Sequence, residues 1–192
     1  MEYSEELNER KELKQRAAKP LLWVSMVGIG MAFAGLTSAY IIRQADTDWL
    51  SFELPAPFYI STALIILSSI TMFAATAAAK KDNQAGVVRY VSLTLILGIG
   101  FIISQFFAYS AMVDRGLHMV GTSVSSSFHY VITGFHLAHV LSGIIVLIVT
   151  LVNAKKEKYS ADNHLGLSLA SSYWHFLDFL WIFLIVFLAF IR

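Results

Sequence analysis

Apolar residues occur along this chain in five long runs, separated by short polar segments. Each run is long enough to cross a hydrocarbon layer of about 30 Å at about 1.5 Å per residue. The runs predict five transmembrane helices, over residues 21–42, 57–79, 90–113, 128–152 and 169–191. Pro20, Pro55 and Pro57 lie where the first two runs begin, as expected of residues tolerated in the first turn of a helix. We therefore expect an all-α integral membrane bundle.

Two regions follow from this division: a charged N-terminal arm, residues 1–19, and a single transmembrane domain, residues 20–192. The arm alternates acidic and basic residues and places Glu6 and Glu12 four positions before Arg10 and Arg16. This spacing supports a short solvated helix or a mobile arm.

Basic residues are unevenly divided between the two sides of the predicted bundle. Of the 14 Lys and Arg residues, only Arg43, Arg115 and Arg192 fall on one side. The other side holds those of the arm, of the loop after the second run and of the loop after the fourth. By the positive-inside rule, the N-terminus is cytoplasmic and the C-terminus external. A net charge of +1 gives no overall basic character, so nucleic acid is not an expected partner.

The candidate chemistry is restricted by the absence of cysteine. Without it, the chain cannot form a disulfide, a thiolate nucleophile, an iron–sulfur cluster or a Cys-ligated copper or zinc site. His129, His136 and His139 lie along one side of the fourth run, which raises a heme or metal site as an alternative. A catalytic metal needs about three converging ligands, and the nearest carboxylate in any run is Asp178. We favour structural histidines and expect no metal or heme on this chain.

Small residues recur at helical spacing in two runs and predict close helix–helix contacts. The first run carries Gly28, Ala32, Gly35 and Ala39, and the fourth carries Gly134, Ala138 and Ser142. The alternative is the general abundance of small residues in membrane helices.

Asp178 is the one acidic residue predicted to lie well inside a run, within the segment YWHFLDFLW, residues 173–181. A charge there costs about 2.5–3.5 kcal/mol on insertion scales. We interpret the residue as part of a polar clasp between helices; the alternative is a proton path or ion site. Counted by depth, His139 is the first expected hydrogen-bond partner and His136 the second, while His175 lies on the same helix as Asp178.

Four segments resemble subunit III of heme–copper oxidases. TGFHLAHVLSG (133–143) and NHLGLSLASSYWHFLDFLWIFL (163–184) resemble its last two helices, LILGIGFIISQFFAYSAM (95–112) the helix before them, and FAGLTSAY (33–40) an earlier one. The mitochondrial form has seven helices, of which this chain would lack the first two. Two buried glutamates of the family fall here at Ile29 and Ala108, so their roles cannot be carried over.

The resemblance implies an accessory subunit of a bacterial aa3-type cytochrome c oxidase in the cytoplasmic (inner) membrane. Such a subunit catalyses nothing alone and binds neither heme nor copper, which lie in partner subunits. It packs on subunit I, accompanies subunit II and in some complexes a small subunit IV, and holds phospholipid in a cleft. It supports assembly, proton uptake and turnover stability. A supercomplex with the electron-donating complex is left open.

Several alternatives remain at this point. Within the resemblance they are subunit III of a quinol oxidase and an accessory subunit of nitric oxide reductase. From other classes they are an independent small proton-coupled transporter, with Asp178 as its site, and an assembly factor or lipid-binding scaffold.

Overall fold

The computed structural model describes residues 2–45, 47, 49–161 and 163–191, with the side chains of 2–12, 14 and 15 left out. The described part of the chain is folded into five helices: α1 (Glu2–Arg43), α2 (Ala56–Ala79), α3 (Gln84–Asp114), α4 (Val124–Lys155) and α5 (Leu165–Phe190). Each is long and apolar enough to cross a membrane. The expected all-α bundle of five spans is therefore confirmed.

Local capping explains where several helices begin. The side chain of Asn83 accepts a hydrogen bond from the Gly86 amide at the start of α3. The hydroxyl of Ser123 accepts one from the Ser126 amide at the start of α4. Pro57 lies in the first turn of α2, as the sequence predicts. These caps satisfy amides that have no partner within the helix, so α3 and α4 begin before their apolar runs do.

The predicted helix start at Pro20 is wrong, because α1 runs through this proline from Glu2. Proline removes one backbone donor from a helix interior, which disfavours continuation. The preceding residues, ELKQRAAK, are all strong helix formers and stabilise the turns on the N-terminal side of the missing bond. The arm is thus the first part of α1. Its expected Glu–Arg pairs lie outside the described side chains.

Helices α2, α3, α4 and α5 pack as a ring, each against two neighbours, with the most extensive contact between α2 and α3. Helix α1 lies outside this ring and contacts only α4 and α5 among the described elements. Its packed side carries Met26, Phe33, Thr37 and Tyr40, all of them buried.

The loops meet in pairs at the two ends of the bundle. At one end, the Ala161 amide of the α4–α5 loop donates to Asp82 Oδ1 of the α2–α3 loop over 2.7 Å. At the other, Ser125 Oγ at the start of α4 donates to the Leu50 carbonyl of the α1–α2 loop over 2.6 Å. Consecutive helices therefore alternate in direction, as the division of basic residues between two sides requires.

Two tryptophans of α5 occupy the centre of the ring. Trp174 is 1% exposed and Trp181 is fully buried. Their indole Nε1 groups donate across to α2, from Trp174 to Ser68 Oγ over 3.0 Å and from Trp181 to Thr62 Oγ1 over 3.1 Å. Buried indole N–H groups require such acceptors, so these bonds fix the rotation of α5 against α2.

Candidate functional site: the polar residues of α4 and α5

Asp178 faces α2 rather than α4. It is 3% exposed and lines a groove between α2 and α5 together with Ser69, Phe73 and His175. Neither carboxyl oxygen has a hydrogen-bond partner among the described residues. The nearest ionisable atom is His175 Nδ1, 3.9 Å from Oδ2, which is too long for a hydrogen bond.

His175 forms the polar contact between these two helices. Its Nδ1 lies 2.7 Å from Ser69 Oγ, and its ring stacks on Phe73 with centroids 3.9 Å apart. The structure therefore brings His175 and Asp178 together, with α2 supplying their neighbours. Neither Ser69 nor Phe73 is among the residues predicted from the sequence. The signal that could have found Ser69 is the recurrence of hydroxyl pairs along the second run, at 61–62 and 68–69.

His136 lies elsewhere, fully buried in an aromatic cage. Its ring stacks on Trp181 with centroids 5.1 Å apart and meets Phe33 and Phe101 edge-on. Neither of its ring nitrogens has a hydrogen-bond partner among the described residues. His136 therefore packs as a flat ring and does not bond Asp178.

His139 also bonds within its own helix. Its Nδ1 lies 2.8 Å from the Phe135 carbonyl, and its ring packs on Phe33 and Phe135 at the α1 side of α4. The expected hydrogen bond from His139 or His136 to Asp178 is therefore wrong.

The error concerns rotation about the helix axis and leaves the estimate of depth intact. His136 contacts Trp181, and Gly143 approaches Trp174, so the level of Asp178 on α5 matches the α4 residues between these two contacts. At that level, however, α5 directs its tryptophans toward the ring interior and its acid toward α2. Depth follows from counting residues, whereas rotation follows from which side chains fill the core.

The small-residue stripe of α1 faces away from the rest of this chain. Gly28, Ala32 and Gly35 are exposed, and a Cβ added at either glycine would meet nothing within 4 Å. Phe33 and Tyr40 provide the packed side instead. No helix of the described chain lies on the stripe, so a contact there with a helix of another chain stays a prediction. Ala39, at its end, is half-buried.

The stripe of α4 does not bring two backbones together either. A Cβ at Gly134 would lie 3.9 Å from the Tyr109 hydroxyl, and Ala138 is exposed. Ser142 does contact a neighbouring helix, through a 2.6 Å hydrogen bond with the Tyr173 hydroxyl of α5.

Close approach occurs instead at two other glycines, on either side of Trp174. A Cβ at Gly98 would lie 2.8 Å from Trp174 Cη2 and 2.9 Å from Ile144 Cδ1. A Cβ at Gly143 would lie 2.8 Å from Leu177 Cδ1 and 3.1 Å from Trp174 Cζ3. These two positions make room for the indole ring. Gly98 belongs to no stripe of small residues, so its packing role could not be predicted from helical spacing.

No group of three or more His, Cys, Asp or Glu side chains in the described part of the chain could hold a metal ion. The arrangement of Ser69, His175 and Asp178 offers hydrogen bonding between helices.

Comparison with known proteins identifies the family. Residues 50–191 match the family described as cytochrome c oxidase subunit III. The chain belongs to this family. The subunit III match covers α2 to α5 and includes both motifs that meet around the two tryptophans, on α4 and α5. The resemblance seen in the sequence is thus confirmed, and the chain is a multi-pass membrane protein of the respiratory oxidases.

Individual subunit III relatives cover more of the chain than residues 50–191. Cytochrome c oxidase subunit 3 of Corynebacterium diphtheriae is 34% identical over 169 residues, covering 84% of this chain and 82% of the relative. The probable subunit 3 of Nocardia farcinica is 32% identical over 170 residues, covering 84% of this chain and 82% of the relative. Cytochrome c oxidase subunit 3 of Thermostichus vulcanus is 32% identical over 169 residues, covering 85% of this chain and 82% of the relative. An alignment limited to residues 50–192 would cover less than the 84% of this chain that these relatives match. The similarity therefore extends into α1.

Proposed function

We propose that this chain is the accessory subunit III of a bacterial aa3-type cytochrome c oxidase in the cytoplasmic (inner) membrane. The observation that carries the proposal is the family match over residues 50–191, on a bundle of five apolar helices. The relatives described above are named as subunits of cytochrome c oxidase, which favours this function over a quinol oxidase subunit or an independent transporter. The chain supports assembly, proton uptake and turnover stability, and partner subunits carry heme and copper.

Partner subunits I and II, with a small subunit IV in some complexes, are part of this proposal. Packing on subunit I is supported by the smooth stripe of α1, because exposed small residues allow a second backbone to approach closely. Nothing in the part of the chain that the structure describes covers this stripe.

Phospholipid is the proposed ligand of the apolar surface. A cavity of about 350 Å³ lies between α1, α4 and α5, lined by side chains that include Leu22, Val149, Asn153 and Tyr159. Its walls are mainly aliphatic. Its polar groups lie toward the end of the bundle at which the α2–α3 and α4–α5 loops meet. This arrangement suits an acyl chain with its headgroup toward Lys155 and Lys156.

The orientation proposed is a cytoplasmic N-terminus and an external C-terminus. It is supported by the pairing of loops, since the two loops rich in lysine lie at the same end of the bundle. The positive-inside rule then assigns that end to the cytoplasm.

Deletion of the chain, followed by purification of the remaining oxidase, tests the function. We expect oxygen reduction to be measurable at first and to decline during turnover faster than in the strain complemented with the intact chain. Tagged subunit III, extracted in mild detergent, should bring down polypeptides that show heme absorbance, while the chain stripped of partners shows none. A copper-binding two-cysteine motif in the copurifying subunit II separates a cytochrome c oxidase from a quinol oxidase.

Two results would contradict the proposal. One is a deletion strain whose oxidase keeps full activity and full endurance. The other is a tagged chain that brings down no heme-containing polypeptide at all.

A further inference from the structure

A groove of about 350 Å³ runs between α2 and α5 on the outer surface of the bundle. Its rim is apolar and exposed, with Ile66, Ile70 and Phe179 exposing 43%, 59% and 72% of their surface. At its base lie Ser69, His175 and Asp178, and no residue of α1 lines it. The groove thus combines an apolar wall, open to the membrane, with a polar floor.

The carboxyl group of Asp178 is buried without compensation from the described part of the chain. Neither of its oxygens has a hydrogen-bond partner among the described residues, although the residue is 3% exposed. The one hydroxyl nearby, that of Ser69, is engaged with His175 Nδ1 at 2.7 Å. If its single proton turned to the carboxyl instead, at least one oxygen would still lack a donor. Buried polar groups in a membrane require partners, and the described part of the chain supplies none for this oxygen, which points to a donor from a neighbouring molecule.

The depth of the groove restricts where that donor can come from. Asp178 lies near the middle of α5 (Leu165–Phe190), roughly 20 Å from either end at about 1.5 Å per residue. This depth places Asp178 within the hydrocarbon layer of about 30 Å, away from lipid headgroups and bulk water. A lipid tail can fill the apolar wall but has no donor to offer. A polar side chain on another membrane-spanning helix supplies one at this level.

The shape of the groove also fits a helix. Side chains of α2 and α5 form two ridges, with Ile66 and Ile70 one turn apart on the first and Phe179 on the second. Helices pack by fitting the side-chain ridges of one surface into the grooves of another. The groove between these two ridges can therefore accept the side chains of a third helix.

We propose that the α2–α5 groove is a docking surface for a transmembrane helix of another oxidase subunit, which places a hydrogen-bond-donating side chain on Asp178. This inference rests on the proposed function, because it requires an oxidase complex, and it adds the surface and the chemistry of the contact. The donor is a hydroxyl, amide or indole group, with apolar side chains on the adjacent turns to fill the rim.

Single cysteines test the contact, since the chain has none of its own. Cysteine replaces Ile66 or Ile70 at the groove, and Ile99 of α3 serves as the control. Ile99 is also 43% exposed and lies near the middle of its helix, but it does not line the groove. Each variant is labelled with a thiol-reactive benzophenone in intact membranes, irradiated and purified through a tag. Mass spectrometry then identifies the adducts.

We expect Ile66→Cys and Ile70→Cys to give adducts with a polypeptide of another oxidase subunit. In an Asp178→Leu background the yield of these adducts should fall about 3- to 10-fold, the range expected for one hydrogen bond between membrane helices. Asp178→Asn, which retains a hydrogen-bond acceptor, should restore most of the yield. Adducts of Ile99→Cys should not respond to either change, which also checks that the bundle remains folded.

Lipid adducts alone from both groove cysteines, in a preparation that contains the other oxidase subunits, would overturn the docking surface and leave the proposed function standing. A polypeptide adduct whose yield is the same with Asp178→Leu would overturn the assigned role of the carboxyl. Absence of every other oxidase subunit from the purified material would overturn the proposed function itself.

Discussion

Alanine in place of Gly98 tests how tightly Trp174 joins α3, α4 and α5. The new Cβ would lie 2.8 Å from Trp174 Cη2 and 2.9 Å from Ile144 Cδ1. Ordinary contacts between carbon atoms are about 3.5–4.0 Å, so the indole ring has to move by roughly 0.7 Å. It has little room to do so, because Gly143 closes its other side and Ser68 holds its Nε1.

The expected change in stability combines two destabilising contributions and one stabilising contribution. Overpacking of a well-packed core costs about 1–3 kcal/mol. Weakening of the Trp174–Ser68 hydrogen bond costs up to about 1 kcal/mol. Replacing glycine by alanine within a helix stabilises the helix by about 1 kcal/mol. Together they span about 0–3 kcal/mol, and we expect Gly98→Ala to lower the free energy of unfolding by about 1.5 kcal/mol, the middle of that range.

A matched control lies two residues away on the same helix. A Cβ at Gly100 would lie 3.6 Å from Leu64 Cδ1, which is an ordinary contact. We expect Gly100→Ala to leave the free energy of unfolding unchanged or to raise it by up to about 1 kcal/mol. The measurement is an unfolding titration of the purified chain in mixed detergent micelles, followed by circular dichroism.

A double variant identifies the ring as the cause. In a Trp174→Phe background the ring atoms nearest to Gly98 are gone while the contact with Ile144 Cδ1 remains, so Gly98→Ala should cost less than it does alone but should still cost something. The reasoning is refuted if Gly98→Ala is no more destabilising than Gly100→Ala, or if its cost is the same with phenylalanine at position 174.

Two further predictions concern orientation and the contact between α2 and α5. Reporters fused after Lys19 and after Lys156 should read cytoplasmic and one fused to the C-terminus external; a cytoplasmic C-terminus would contradict the orientation. Ser69→Ala should lower the free energy of unfolding by about 0.5–1.5 kcal/mol, because it removes the partner of His175 Nδ1. Ser172→Ala, which removes a bond to its own helix on an exposed surface, should change it by less than about 0.5 kcal/mol, and equal effects would refute the assignment.

The helices could be predicted from the sequence because the length of an apolar run is a local property. Four of the five predicted runs lie within one helix of the structure, and the fifth, residues 169–191, extends one residue beyond the end of α5. The ends were harder to place, since they depend on polar residues that the apolar runs do not include. Helix α3 begins at Gln84, ahead of its run, because Asn83 caps it. Helix α1 continues before Pro20 because strong helix formers precede that residue.

The packing of small residues could not be predicted from periodicity alone. Gly28 and Gly35 belong to a regular stripe, yet none of the described residues comes within 4 Å of a Cβ built at either position. Gly98 belongs to none, yet a Cβ there would collide with Trp174. Close approach depends on which large side chain stands opposite, and that partner lies far away in the sequence.

The surroundings of Asp178 likewise depend on where the large side chains pack. Helix α5 carries two tryptophans on one side, and only the ring interior, opened by small residues on α3 and α4, can accept both indole groups. Once they point inward and donate to Ser68 and Thr62, the rotation of α5 is settled. The acid then lies on the flank toward α2, at the depth expected from counting residues but away from His136 and His139 of α4. The widest apolar rings on a membrane helix therefore determine where its polar group points, and Asp178 is left on the floor of a groove rather than between α4 and α5.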